Sequence, residues 1–224
     1  MRERDVAVAL NEPTRIIAIR HGQTAWNAET RMQGQLDTAL DALGRWQAEQ
    51  IVDALDGEPI DAIVSSDLAR AMHTARPLAR RRGLAVRRDP ALRERSFGVF
   101  QGFTYAHIAK HWPEGAARWR ARDPAFGAEG GESLARFYQR VVDAAERLAS
   151  EFAGRSVVWV THGGVLDCLH RAAMRVALDA PRSWTLDNAS INRLLHSDQG
   201  LMLVGWGDVS HLDAQAPVLQ TGES

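Results

Sequence analysis

Two short, unbroken apolar runs constrain this chain more than anything else in it. Ile16-Ile17-Ala18-Ile19 and Val157-Val158-Trp159-Val160 contain no polar residue. Each therefore reads as a strand buried on both faces, not as a half-exposed strand of alternating polarity. Branched side chains dominate both runs, which suits a pleated backbone. Each ends in a polar triplet centred on histidine, Arg20-His21-Gly22 in one case and Thr161-His162-Gly163 in the other. A strand covered on both faces needs helices above and below it. The fold class that follows is α/β: a three-layer α/β/α sandwich around a mostly parallel sheet.

The segments between these runs fit that scheme. A helix is expected from about Thr38, carrying Leu40, Leu43, Trp46, Ile51 and Leu55, with Gly57 to Pro59 breaking it. Ile60 to Val64 reads as a second buried strand ending at Ser65-Ser66. Asp67 is expected to cap a helix bearing Leu68, Met72 and Leu78, and Arg80-Arg81-Arg82 before Gly83 suits the negative end of its dipole. A short third strand is expected near Leu84 to Val86. Residues 96–131, rich in glycine and aromatic side chains, are expected to form a small, partly helical insertion over the ligand crevice of the sheet. Helical pattern returns from Ser133 to Phe152, and Ile191 to His196 with Leu201 to Trp206 flank a hairpin turn at residues 197–200. These limits predict one domain over 13–211, between a flexible N-terminal segment 1–12 and a flexible C-terminal tail 212–224.

Composition narrows the function classes. The 224 residues are 45% hydrophobic and 25% charged, with a formal net charge of -1, which gives no global field for nucleic acid or an anionic membrane. No run approaches the ~18 apolar residues of a membrane span. Cys168 is the only cysteine, so no internal disulfide can form, and a cytoplasmic location is expected. Lys110 is the only lysine, which argues against Schiff-base chemistry. A homodimer is compatible with the sequence but not indicated by it.

The strand ends are where chemistry concentrates. In a parallel sheet the carboxyl ends lie along one edge, so Arg20, His21, Arg70 and His162 can share a crevice although far apart in sequence. Imidazole can attack phosphorus, and guanidinium groups can hold the phosphoryl oxygens as charge builds on them. The attacking histidine must be neutral, and neighbouring arginines disfavour its protonated form. Gly163-Gly164 opens a helix whose positive end suits an anion. His107 and His111 stand four apart on one helical face, but no matching ligand pair accompanies them, so a solvated face is expected there. Arginines and histidines already supply the positive field, and neither metal nor cofactor is expected.

The blocks that carry these residues resemble a known family. Arg20-His21-Gly22-Gln23-Thr24-Ala25-Trp26-Asn27 with Arg31-Met32-Gln33-Gly34 is similar to the defining motif of the histidine phosphatase superfamily, in its phosphoglycerate mutase-like branch. Ser65-Ser66-Asp67-Leu68-Ala69-Arg70-Ala71, Leu92-Arg93-Glu94, Gly131-Glu132-Ser133 and Val160-Thr161-His162-Gly163-Gly164 follow in the family's order. The resemblance implies that His21 takes the phosphoryl group while Arg20, Arg70 and His162 hold its oxygens. It implies Asn27 as a further donor, with Thr24, Gln33 and Gly163 lining the substrate site. Glu94 would protonate the leaving oxygen and then deprotonate the attacking water, so it must hold a proton when substrate is bound.

Three outcomes are compatible with such a site. Transfer to water makes a metal-independent phosphomonoester hydrolase acting on a small phosphorylated metabolite. Return to a second hydroxyl makes a mutase, which resembling enzymes perform with a lysine near the position of Gly102 and a basic cluster in the insertion. Here Gly102-Phe103-Thr104-Tyr105 lacks that lysine, while Arg118, Arg120 and Arg122 preserve the alternative. A non-catalytic phosphate-binding protein would be expected to have lost His21 or Glu94, and both are present. The hydrolase is the favoured expectation.

Overall fold

The computed structural model describes residues 12–213. Six strands, β1 (Thr14–Arg20), β2 (Ala62–Ser65), β3 (Val86–Arg88), β4 (Ser156–Thr161), β5 (Ile191–Ser197) and β6 (Gly200–Asp208), form one sheet in the order β3-β2-β4-β1-β5-β6. The first four are mutually parallel, and β5 runs antiparallel to both β1 and β6. Helices are α1 (Ala25–Ala28), α2 (Ala42–Ala54), α3 (Ala69–Arg82), α4 (Tyr105–His111), α5 (Pro113–Arg120), α6 (Leu134–Glu151) and α7 (Gly163–Met174).

The apolar tetrads behave as strands buried twice over. Ile17, Ile19, Val158 and Val160 pack with Ile51 and Val52 of α2 and with Ala75 and Leu78 of α3. Their alternate neighbours, Ile16, Ala18, Val157 and Trp159, pack on the opposite face with Phe137, Val141 and Leu148 of α6 and Leu169 of α7. The period of two along each strand thus feeds two cores with one sheet between them. Cys168 is buried in α7. Within 96–131, α4 and α5 enclose a separate aromatic cluster around Phe100, Ile108, Ala116 and Phe126.

Four expectations need adjustment. The second helix begins at Ala42 and not near Thr38, because Asp41 is its cap and accepts from Gly44 N at 2.8 Å. Thr38 instead donates to Gln33 Oε1 at 2.6 Å. Asp67 does not cap α3. Its carboxylate grips Arg93 through two bonds of 2.7 and 2.6 Å, and the cap position falls to Leu68 with no side-chain bond. The third strand lies at Val86–Arg88, where pairing with β2 fixes it. The two loose ends lie outside the described residues except for Glu12, Leu212 and Asp213, and Leu212 closes a 3₁₀ turn packed on the α2–α3 side of the core.

Candidate active site

Three neighbouring strands, β2, β4 and β1, end at the same level. Ser65 pairs with Val160 and Arg20 with Thr161, so Ser66, His162 and His21 are the next residues out on each strand. The tight approach of the following segments depends on missing side chains. A Cβ on Gly22 would stand 2.4 Å from Gly44 O, and one on Gly44 would stand 2.0 Å from Gln23 O. The start of α2 is therefore pressed against the backbone that presents His21.

His21 is buried, and its Nδ1 lies 2.7 Å from Gly22 O. A carbonyl only accepts, so Nδ1 carries the proton and Nε2 keeps the lone pair. Burial, then Arg70 and Arg20, hold this imidazole well below the usual histidine range. The His162 ring lies 5.1 Å away, centroid to centroid, at 60° to it. Burial again lowers the pKa of His162, with Arg70, His21 and Arg20 adding to the effect.

The arginines are held from outside the site. Arg70 donates to Leu36 O at 2.8 Å and to Gly34 O at 2.7 Å, and Arg20 donates to Leu186 O. Burial brings Arg70 down to about 10, with Glu94 and Asp37 opposing, so it stays cationic at neutral pH. Arg20 Nε, Arg70 Nε and His162 Nδ1 are all buried without a hydrogen-bond partner among the described residues. Leaving buried donors unpaired costs about 1–3 kcal/mol each. They belong to three side chains that neighbour His21, since Arg70 and Arg20 both act on its charge and the His162 ring lies 5.1 Å from it, and unpaired donors of this kind suit an oxyanion.

Glu94 sits against the first turn of α7. Its Oε2 accepts from Gly164 N at 2.9 Å and its Oε1 from Arg95 N at 2.8 Å. A Cβ on Gly164 would stand 2.1 Å from Glu94 Oε1. Gly164 is thus bare to admit the carboxylate, and one amide of the helix end that was expected to face an anionic ligand is already used. A cavity of about 970 Å³ is walled by Arg20, Glu94, Gly163 and the aromatic side chains of Phe97, Tyr105, Trp119 and Trp184. His21, Arg70 and His162 are buried and do not line it.

The remaining expected residues divide. Asn27 Oδ1 accepts from Asn188 Nδ2 at 3.4 Å, and the same Nδ2 donates to His21 O at 2.9 Å, which places Asn27 beside the His21 backbone. The Thr24 hydroxyl exchanges bonds with Asn27 in a capping box at the start of α1, so it positions Asn27. Gln33 is buried in the loop whose carbonyls hold Arg70, and its own partner is Thr38. His111 is exposed and His107 half-buried, as expected of a solvated face, with their rings stacked 4.2 Å apart and His107 also stacked on Phe103. Among the described residues no group of three or more His, Cys, Asp or Glu side chains is placed to hold a metal ion.

Two supporting residues escaped the sequence reading. Arg140 donates to the carbonyls of Ala91, Arg93 and Glu94 and pairs with Glu132, clamping the loop that presents Glu94. Its signal was a charge on α6 three residues after buried Phe137 and next to buried Val141. Asn188 left no signal, since a lone asparagine before a strand is ordinary.

Comparison with known proteins decides the family. A model of the histidine phosphatase superfamily (branch 1) matches residues 16–209. The chain belongs to this superfamily. It is 39% identical over 212 residues to phosphoglycerate mutase-like protein 4 of Arabidopsis thaliana, covering 92% of this chain and 90% of that one. It is 41% identical over 189 residues to glucosyl-3-phosphoglycerate phosphatase of Mycobacterium tuberculosis, covering 80% and 84%. Among solved structures, Bacillus stearothermophilus YhfR superimposes with a TM-score of 0.83 at 30% identity, covering 89% of this chain and all of that one. In this histidine phosphatase the mixed sheet with helices on both faces is the family's fold.

Proposed function

We propose that this histidine phosphatase is a metal-independent phosphomonoester hydrolase that works through a phosphohistidine at His21. The observation that carries the reading is the set of three orphaned donors, Arg20 Nε, Arg70 Nε and His162 Nδ1, around an imidazole whose Nε2 holds a lone pair. The Nε2 pair attacks phosphorus, the bond from phosphorus to the leaving oxygen breaks, and Glu94 gives its proton to that oxygen. Water then attacks the phosphohistidine, Glu94 takes a proton from it, and the pair of the N–P bond returns to Nε2. Arg20 and Arg70 supply the positive field throughout.

The cavity beside Glu94 suits a small phosphorylated metabolite, since about 970 Å³ falls within the range of ligand pockets. Mutase chemistry is less well served. Arg118, Arg120 and Arg122 do line the cavity, but Arg118 is paired with Asp123 at 2.7 Å and Arg122 with Asp167 at 2.6 Å, which offsets part of the positive charge a substrate carboxylate would need. The phosphatase among the named relatives supports the same choice.

The test is His21→Ala with an aryl phosphate as substrate and circular dichroism as the fold control. Loss of about 10³-fold or more in turnover is expected, together with loss of the acid-labile phosphoprotein trapped by rapid quench. Turnover near the wild-type level, or a phosphoprotein that survives the substitution, would remove His21 as nucleophile. A panel of phosphorylated metabolites, assayed for free phosphate and isomerised ester separately, distinguishes hydrolase from mutase.

A further inference from the structure

The two site histidines are held by different kinds of partner, and that difference sets what each ring offers. His162 Nε2 lies 2.8 Å from Ser66 Oγ, and both residues are fully buried. Ser66 Oγ also accepts from Leu68 N at 3.4 Å. Its hydroxyl hydrogen then has one acceptor among the described residues, which is His162 Nε2. The reverse arrangement, with Nε2–H donating to Ser66, would leave a buried hydroxyl hydrogen unpaired. It would also turn the lone pair of His162 Nδ1 toward the proposed phosphoryl site, where a phosphoryl oxygen repels it.

We propose that Ser66 is a positioning residue whose hydroxyl donates to His162 Nε2 and so fixes the proton on His162 Nδ1. The inference rests on the phosphohistidine reading above. The rings then carry protons on the same atom for opposite ends. His21 turns its Nδ1 proton to Gly22 O and keeps Nε2 as a nucleophile. His162 turns its lone pair to Ser66 and keeps Nδ1–H, buried and unpartnered, for a phosphoryl oxygen. A neutral donor suffices here, because burial and the adjacent arginines disfavour an imidazolium at this position. Without a donor on Nε2, neutral His162 has no fixed tautomer and loses the aim of its N–H.

The test needs no natural substrate. Two-bond proton–nitrogen correlation on labelled protein, with His162 assigned by its disappearance in His162→Gln, is expected to give the Nδ1–H pattern in the wild type. Ser66→Ala is expected to mix or reverse that pattern, and Ser66→Thr to restore it. Affinity for inorganic phosphate and kcat/KM on an aryl phosphate should each fall about 10–100-fold in Ser66→Ala and recover in Ser66→Thr. A wild-type Nε2–H pattern at His162 overturns the proposal, and so does a Ser66→Ala protein that binds phosphate as the wild type does. Should Ser66→Ala fail to fold, the wild-type pattern decides by itself. A protein with this tautomer and phosphate dependence that hydrolyses no phosphomonoester would defeat the phosphatase reading and leave the role of Ser66 standing.

Discussion

At the scale of residues, two buried neutral imidazoles tie activity and stability to the same stretch of pH. His21 and His162 both sit below the usual histidine value of 6.5 in the folded protein. As pH falls through 6.5 the unfolded chain takes up protons that the folded chain refuses, so the contribution to stability is full above that value and is lost below it, toward the folded pKa values. The melting temperature should decline from about pH 7 to about pH 5, with a shallower slope in His162→Gln. The acid limb of kcat/KM attributable to His21 should lie below 6.5, because its Nε2 pair persists there. A limb at or above 6.5 would contradict the assignment. Gly164 supports a second prediction. Adding a methyl group 2.1 Å from Glu94 Oε1 must displace that carboxylate. Gly164→Ala should therefore slow alkyl phosphates about 10²–10⁴-fold while sparing activated aryl esters, as Glu94→Gln would. Equal losses on both substrates would dissociate Glu94 from protonation of the leaving group.

At the scale of elements, the buried strands were legible in sequence and the choice of polar partners was not. The two apolar tetrads rich in branched side chains, each followed by a polar triplet, pointed to buried strands, so β1 and β4 could be placed from local pattern, and with them His21 and His162. Asp67 and Thr24 show where that legibility ends. Either could cap a helix by local rules; Asp67 is instead claimed by Arg93, 26 residues on, and Thr24 does cap, with Asn27 as its partner. The competing partner is supplied by tertiary structure and leaves no mark at the position itself. Arg140 is the counterpart, a single guanidinium of α6 that fixes the loop before Glu94 through three carbonyls. Arg140→Gln is expected to lower kcat about 10-fold or more through misplacement of Glu94, with KM changing less. A variant that raises KM and leaves kcat intact would show that the clamp serves binding instead.

At the scale of the whole molecule, the guanidinium groups proposed to supply positive charge for phosphoryl transfer are fixed by main-chain carbonyls. Arg70 hangs from Gly34 and Leu36, and Arg20 from Leu186. Dialysis against a strong chelator should leave the turnover rate unchanged, and a rate that collapses and returns with added magnesium or zinc would refute the metal-independent proposal. The sheet order carries a further consequence. β4 lies between β1 and β2, although some ninety residues separate it from the latter in the chain. During synthesis β1 emerges with neither of its neighbours and β2 with only β3 to pair, and both must wait for β4 to leave the ribosome, several seconds later at about 5–20 residues per second. A nascent chain arrested before Ser156 would hold most of the ingredients of the reaction but lack the strand that joins β1 to the β2–β3 pair. Two fragments divided ahead of that strand would be inert apart, with activity returning only on mixing.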